Sequence, residues 1–321
     1  MRIVCATDLL PKTEPAVARA GSLADHLDAE LTLLHIVEAG GPESILEESL
    51  QNALGQMRSL GRPPQWTAGR APDIAVRAGN PARLLLETLQ HPRADLAILG
   101  PHRKRPLRDV LEGTIAEKVL AGRSCPLLVV RNQAPDAYRR ILLAIDLSSA
   151  AACALRAAES LILTPAAEAR IVHAHEPPYQ GMSAYVAADF ATVSQYVEGW
   201  TRQAASSVRG LLESQSASPE RYEVAIAELP PAPAICRAVE EYRPDLLVMG
   251  TRGGGRVHRA LLGSVANRVM HEVACDALIV PEGSCGASQG LLSDRRNRFN
   301  NQQRTESWQP DQTPHHPPGL P

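Results

Sequence analysis

A chain of 321 residues has room for about two domains of ordinary size, and an apolar share of 44% is enough to fill their cores. A net charge of −2 gives no general pull toward nucleic acid or an anionic membrane. Only 3% of the residues are aromatic, which argues against the base-stacking surfaces that hold single-stranded nucleic acid, and no stretch approaches the ~20 apolar residues of a membrane-spanning helix.

The opening run MRIVCATDLLPK is too short in its apolar part for a secretory leader and is broken by Asp8, so the expected compartment is cytoplasmic. From there apolar runs alternate with amphipathic stretches. Strands are predicted near 2–7, 31–37, 72–78, 95–100 and 126–131, and helices near 13–28, 44–60, 81–91 and 111–122. Leu96–Leu99 and Leu127–Val130 are apolar throughout, as strands covered on both faces are. In 13–28, Ala16, Ala20, Leu23, Ala24 and Leu27 share one helical face. Alternating strands and helices predict an α/β fold with a doubly wound, five-stranded parallel sheet, Rossmann-like, with right-handed crossovers placing helices on both faces.

The same order then repeats. RIVCATD at 2–8 matches RILLAID at 140–146, and Asp8 and His35 return 138 residues later as Asp146 and His173. RADLAILGPHR at 93–103 matches RPDLLVMGTRG at 243–253, and Gly100, Gly113 and Cys125 return 150 residues later as Gly250, Gly263 and Cys275. The larger offset places the second copy's extra residues within 176–215. Two tandem domains are therefore predicted, at 1–133 and 139–282, joined by a short linker with Pro135. Residues 284–321, rich in Asn, Gln, Arg, Ser and Pro, are predicted to form a disordered tail.

The chemistry concentrates where the fourth strand of the second copy ends. Gly250, Gly253, Gly263 and Ser264 read Gly-x2-Gly-x9-Gly-Ser directly after Leu246–Met249. In an open parallel sheet, ligands sit beyond the carboxyl ends of the strands, where Asp146, Ala174 and Gly250 all fall. Glycines at 250 and 253 let backbone approach a ligand, and Gly263-Ser264 opens a helix whose free N–H groups favour an anion. Ser264 can cap that helix or donate to a phosphate oxygen. Arg252, Arg256 and Arg259 add positive charge, and Asp146 can accept from ribose hydroxyls. A strand–Gly–helix turn also occurs as plain architecture, so the spacing, the arginines and the strand-end Asp carry the nucleotide reading together. In the first copy Arg103 stands at the middle glycine's position. Its guanidinium can reach a phosphate or fill the pocket; with His102, Lys104, Arg105 and Arg108 the loop also reads as a solvated basic segment.

The run GTRGGGRVHRALLGSVANRVMHEVACDALIVP resembles the C-terminal signature of the universal stress protein family, and the resemblance covers both copies, about residues 1–282. The resemblance implies a stress-response regulator without strong catalysis that binds ATP, or AMP or ADP, with magnesium admissible beside the nucleotide. Carried over by position, the ATP contacts fall on Asp146, Ala174, Met249, Gly250, Arg252, Gly253, Gly263, Ser264 and Val265. Ala174 stands where the family usually has a larger aliphatic residue meeting adenine through backbone. The first copy has Gly79-Asn80-Pro81 before its third helix, similar to the family's Gly-x-Pro, whereas the second has Leu229-Pro230-Pro231, a turn expected to be reshaped. Family members pair through their last strands, here near 126–131 and 277–281, which implies an internal pseudo-dimer of the two domains and leaves a further homodimer open. Nucleotide-free scaffold and slow ATPase are the alternatives.

Other residues read as structural. His173 and His175 face one side of a strand with no third metal ligand in evidence. The six cysteines form no CxxC pair and are expected as buried reduced thiols. Ser264 lacks a GxSxG context, and no P-loop is present, so no catalytic residue is assigned.

Overall fold

The computed structural model describes residues 1–40, 42–60, 70–101, 115–122, 125–132, 137–162, 164, 166–175, 190–215, 217–251 and 263–284. The first copy runs β1 (Arg2–Ala6), α1 (Glu14–Leu27), β2 (Glu30–Val37), α2 (Glu43–Leu60), β3 (Asp73–Ala78), α3 (Pro81–Gln90), β4 (Leu96–Leu99), α4 (Ile115–Ala121) and β5 (Leu127–Val129). The second runs β6 (Arg140–Ala144), α5 (Ser149–Ala157), β7 (Glu168–Ala174), α6 (Phe190–Ser214), β8 (Tyr222–Ala227), α7 (Pro231–Tyr242), β9 (Leu246–Gly250), α8 (Ser264–Glu272) and β10 (Asp276–Val280). Each predicted strand and helix of the first copy is present, the last helix being described from Ile115 onward.

The strands form one ten-stranded sheet in the order β3-β2-β1-β4-β5-β10-β9-β6-β7-β8. Pairing is parallel within each copy and antiparallel where β5 meets β10, with Leu128 opposite Leu278. Side chains alternate across the sheet. Ile3, Cys5, Ile141, Leu143 and Ile171 pack under α1, α5 and α6, while Val4, Leu34, Leu142, Val172 and Leu247 pack under α3, α4, α7 and α8. Each of these two cores runs across both copies, so the halves share hydrophobic interior as well as a sheet. The predicted face of α1 is the buried one, with Ala16 and Ala20 fully enclosed and Leu27 packed at the margin.

The seam is held by a buried carboxylate. Asp276, with no exposed surface, accepts from the Tyr138 hydroxyl at 2.7 Å and from the Arg131 and Asn132 amides at 2.8 and 3.2 Å. The Arg131 guanidinium donates to the carbonyls of Cys275 and Met270, and Arg19 of α1 lies 4.1 Å over the Tyr138 ring. Burial, and then the Asp276 charge, push the Tyr138 hydroxyl well above the ordinary tyrosine pKa. Position 276 has Pro126 as its counterpart in the first copy, so this clamp has no twin. A second device is duplicated: Asp95 accepts from the Arg2 amide at 2.8 Å, and Asp245 from the Arg139 and Arg140 amides at 2.8 and 3.1 Å, each tying the chain before the fourth strand of its copy to the first.

Local signals explain the helix starts. Asn80 accepts from the Arg83 amide at 3.1 Å and Pro81 opens α3, while Ser148 accepts from the Ala151 amide at 3.2 Å to open α5. The turn before α7 is reshaped as expected: Gly79 adopts φ +147° ahead of α3, Leu229 has no left-handed backbone, and Pro230 caps α7 without a side-chain bond. The longer second copy shows in α6, 25 residues against 18 in α2. Ser284, the first residue of the predicted tail, is buried and donates to the Pro281 carbonyl; residues 285–321 lie outside the described residues.

Candidate nucleotide site of the second copy

The carboxyl ends of β6, β7 and β9 and the N-terminus of α8 meet at one edge of the sheet. Thr251 continues β9 by donating its amide to the Val280 carbonyl at 3.0 Å, and its own carbonyl accepts from Gly263 at 2.8 Å. The chain therefore leaves at Thr251 and returns to the same point, which places Gly263, the residue before Ser264, beside Thr251 although 11 residues separate them. Gly263 is the residue flanking α8, with extended backbone and no side-chain cap, and Ser264 is its exposed first residue. The amides of Ser264 and Val265 thus begin an uncapped nine-residue helix, the end that favours an anion. Arg252, Gly253, Arg256 and Arg259 lie outside the described residues.

Asp146 stands exposed just past β6. One carboxylate oxygen accepts from the Ser148 amide at 3.1 Å and hydroxyl at 2.5 Å; the other has no partner among the described residues. The next residue, Leu147, is held in the left-handed region at φ 63°, as Leu9 is at φ 59° after Asp8. Only local geometry repeated in both copies sustains such a conformation in a leucine, at a cost of about 1–2 kcal/mol. Ala174 ends β7 in register with Ala227 and offers backbone to the site edge. Met249 is buried among α7 and α8, so only its backbone faces the edge.

Gly250 is needed for a reason other than ligand approach. A Cβ there would lie 2.9 Å from both the carbonyl carbon and the Cβ of Ala150, so the absent side chain lets α5 start against β9. Gly100 has the same relation to Thr13, at 2.6 Å from its Cγ2.

The first copy's counterpart is tied up by its own loop. Asp8 accepts from the Leu10 amide and the Thr13 hydroxyl, both at 3.1 Å, and Lys12 lies 3.8 Å from its other oxygen. Thr7 and Thr13 hydroxyls meet at 2.8 Å. At the positions of Lys12 and Thr13 the second copy has Ala150 and Ala151. That difference between ATDLLPKT and AIDLSSAA is a sequence signal of an occupied and an open carboxylate, and the glycine spacing alone does not carry it. Arg103, His102, Lys104, Arg105 and Arg108 lie outside the described residues.

The paired histidines are structural: His35 Nδ1 lies 2.8 Å from the Thr7 carbonyl and His173 Nδ1 2.7 Å from the Ile145 carbonyl, each bridging the second strand of its copy to the end of the first. Two features were not legible beforehand. The Ser149 hydroxyl donates to Glu282, which sets a carboxylate at the start of α5. His175 stacks on Trp200 of α6, with ring centroids 5.2 Å apart. Cys5, Cys125 and Cys275 are buried free thiols, pushed up to about 12, 12 and 11 by burial, the opposite of what a reactive thiolate needs. The expectation of reduced thiols throughout fails at Cys153, which is disulfide-bonded; the sixth cysteine, Cys285, lies outside the described residues.

Comparison with known proteins agrees with this architecture. The family model described as "Universal stress protein family" matches residues 1–131 and again 137–281. A universal stress protein of Methanocaldococcus jannaschii is 28% identical over 142 residues, 40% of this chain and 81% of that protein. One of Thermus aquaticus is 32% identical over 145 residues, 44% of this chain and 98% of that protein. Among solved structures, a universal stress protein of Archaeoglobus fulgidus aligns at 18% identity and TM-score 0.60, over 87% of this chain and 96% of that one. A protein of Pseudomonas aeruginosa described as functionally unknown aligns at 18% identity and TM-score 0.59, over 91% and 97%. These two structures share the fold. No described helix is long and apolar enough to cross a membrane. Matched twice by the family model over most of its length, the chain belongs to the universal stress protein family, as a tandem two-domain member.

Proposed function

We infer that the chain binds one adenine nucleotide, ATP or its AMP or ADP relatives, through the second domain, and acts as a cytoplasmic stress-response regulator without strong catalysis. The observation that carries this reading is the contrast between the two strand-end carboxylates. Both carboxylates are exposed, but Asp146 keeps one oxygen unengaged among the described residues, on the edge where α8 begins uncapped, whereas both oxygens of Asp8 are engaged, by Leu10, Thr13 and Lys12. In this reading the phosphates lie at the amides of Ser264 and Val265 with Arg252, Gly253 and Gly263 around them, the ribose hydroxyls donate to Asp146, and the backbone of Ala174, Met249 and Gly250 forms the floor. Magnesium, where it accompanies the nucleotide, offsets phosphate charge there.

Native mass spectrometry of the freshly purified chain tests the count. One nucleotide per chain is expected, and none after Gly253→Arg, which installs the first copy's residue in the second. Two nucleotides per chain, or an unchanged count in Gly253→Arg, would sink the site assignment; an empty chain that ATP leaves unchanged would favour the scaffold reading.

A further inference from the structure

The second copy carries an aromatic stack at the site edge with no counterpart among the described residues of the first copy. His173, His175 and Trp200 stack in series, with centroids 6.1 and 5.2 Å apart and planes within 30°. Tyr196, one helical turn before Trp200, closes on its ring at 5.9 Å. The stack is fixed at three points. His173 bonds the Ile145 carbonyl, the residue before Asp146; the His175 amide donates to the Ala227 carbonyl at 2.8 Å; and Thr201, next to Trp200, reaches Glu228 at 3.3 Å. The rings therefore stand at the carboxyl ends of β7 and β8, with His173 reaching the residue before Asp146. The Nε2 atom of His175 is buried and has no hydrogen-bond partner among the described residues, which is costly for a ring nitrogen unless something else supplies one. In the first copy, Val37 takes the place of His175 and α2 contains no aromatic residue. Stack and intact glycine motif occur together in the second copy; the first copy's sequence lacks the intact motif, and its described residues hold no such stack.

Strand order turns this into a position along the ligand. From β9, which ends at Gly250, the sheet continues to β6, β7 and β8. Neighbouring strands lie about 4.8 Å apart, so β7 is about 10 Å from the phosphate end of the site. A nucleoside polyphosphate spans that interval, with Asp146 of the intervening strand end at its sugar; inorganic phosphate does not. We propose that the His175–Trp200–Tyr196 stack is the base-recognition wall of the second-domain site, offering a purine an aromatic surface and the His175 ring nitrogen. The proposal rests on the nucleotide reading above and adds the residues that choose the base.

The test uses the full chain with Trp66→Phe and Trp308→Phe, so that Trp200 is the sole tryptophan. ATP should change Trp200 fluorescence, while inorganic tripolyphosphate, which has no base, should not. Trp200→Leu should weaken ATP binding by about tenfold or more, the usual loss of one aromatic–base contact, and leave tripolyphosphate binding unchanged. Trp200→Phe should recover most of the loss. If ATP binds, as counted by native mass spectrometry, while Trp200 fluorescence and the Trp200→Leu affinity stay put, the wall is wrong and the nucleotide reading stands. If the unaltered chain binds no ATP, both fall. Should Trp200→Leu fail to fold, fluorescence of the intact ring and the Trp200→Phe affinity still decide.

Discussion

Removing the carboxylate at the seam is the sharpest perturbation of the fold. Asp276→Ala leaves three donors without their acceptor: the Tyr138 hydroxyl and the amides of Arg131 and Asn132. Asn132 is exposed and Arg131 half-buried, so water can reach the amides in part. Tyr138 is only 2% exposed and cannot be rescued. An unsatisfied buried donor costs about 1–3 kcal/mol, and losing one member of a buried charged cluster about 3–5 kcal/mol. We expect about 3–5 kcal/mol here, a fall in Tm of about 10 °C. Asp276→Asn keeps one oxygen for the amides and lets the Tyr138 hydroxyl turn to accept, so about 1–2 kcal/mol is expected. Because both cores cross the seam, the native chain should unfold in a single urea transition. Asp276→Ala leaves both cores crossing the seam, so it too should unfold in one transition, at a lower urea midpoint. The reasoning is refuted if Asp276→Ala melts within about 2 °C of the native chain, or if Asn costs as much as Ala.

The same cluster sets an alkaline limit. In the unfolded chain Tyr138 ionises near pH ~10, while in the fold burial and Asp276 hold its proton well beyond that. Above pH ~10 the unfolded state therefore binds fewer protons at Tyr138 than the native state, and Tyr138 adds about 1.4 kcal/mol per pH unit to the fall in stability that the buried thiols of Cys5, Cys125 and Cys275 begin above pH ~8.5. Urea midpoints measured from pH 8 to 11 should show this slope, reduced in Tyr138→Phe; equal slopes would dismiss it. At the site edge, Gly250→Ala drives a methyl against Ala150 backbone at 2.9 Å and should cost about 1–3 kcal/mol. Gly55→Ala, in the middle of α2 with nothing within 4 Å, should instead stabilise by about 0.5–1 kcal/mol. Thermal melts of the pair compare them directly, and a neutral Gly250→Ala would contradict the packing role.

The candidate site was legible in part. The strand-end Asp146, the glycine spacing and the Ser264 helix start are local features, and local features survive in a one-dimensional reading. What α5 does to Gly250 was not legible, because a contact between positions 150 and 250 arises only when the sheet brings β6 and β9 side by side. Trp200 escaped notice for a similar reason. It lies 25 residues past His175, in a helix whose crossover returns it over the end of β7. The unlike loops ATDLLPKT and AIDLSSAA were in plain view, yet their meaning needed the geometry that folds Thr13 onto Asp8 in one and leaves alanine in the other.

By itself the sequence determined that two copies of one α/β unit follow each other, where their strands and helices lie, and which copy keeps its glycines. Periodicity and repetition are properties of the chain, so they can be read along it. Only the tertiary structure decided that Asp276 locks the seam from one side alone, and that Asp8 has both oxygens engaged while Asp146 keeps one open among the described residues. The seam depends on side chains that meet across more than a hundred residues of separation, the two carboxylates on loops of a few residues, and burial and hydrogen bonding settle both once the layers have packed.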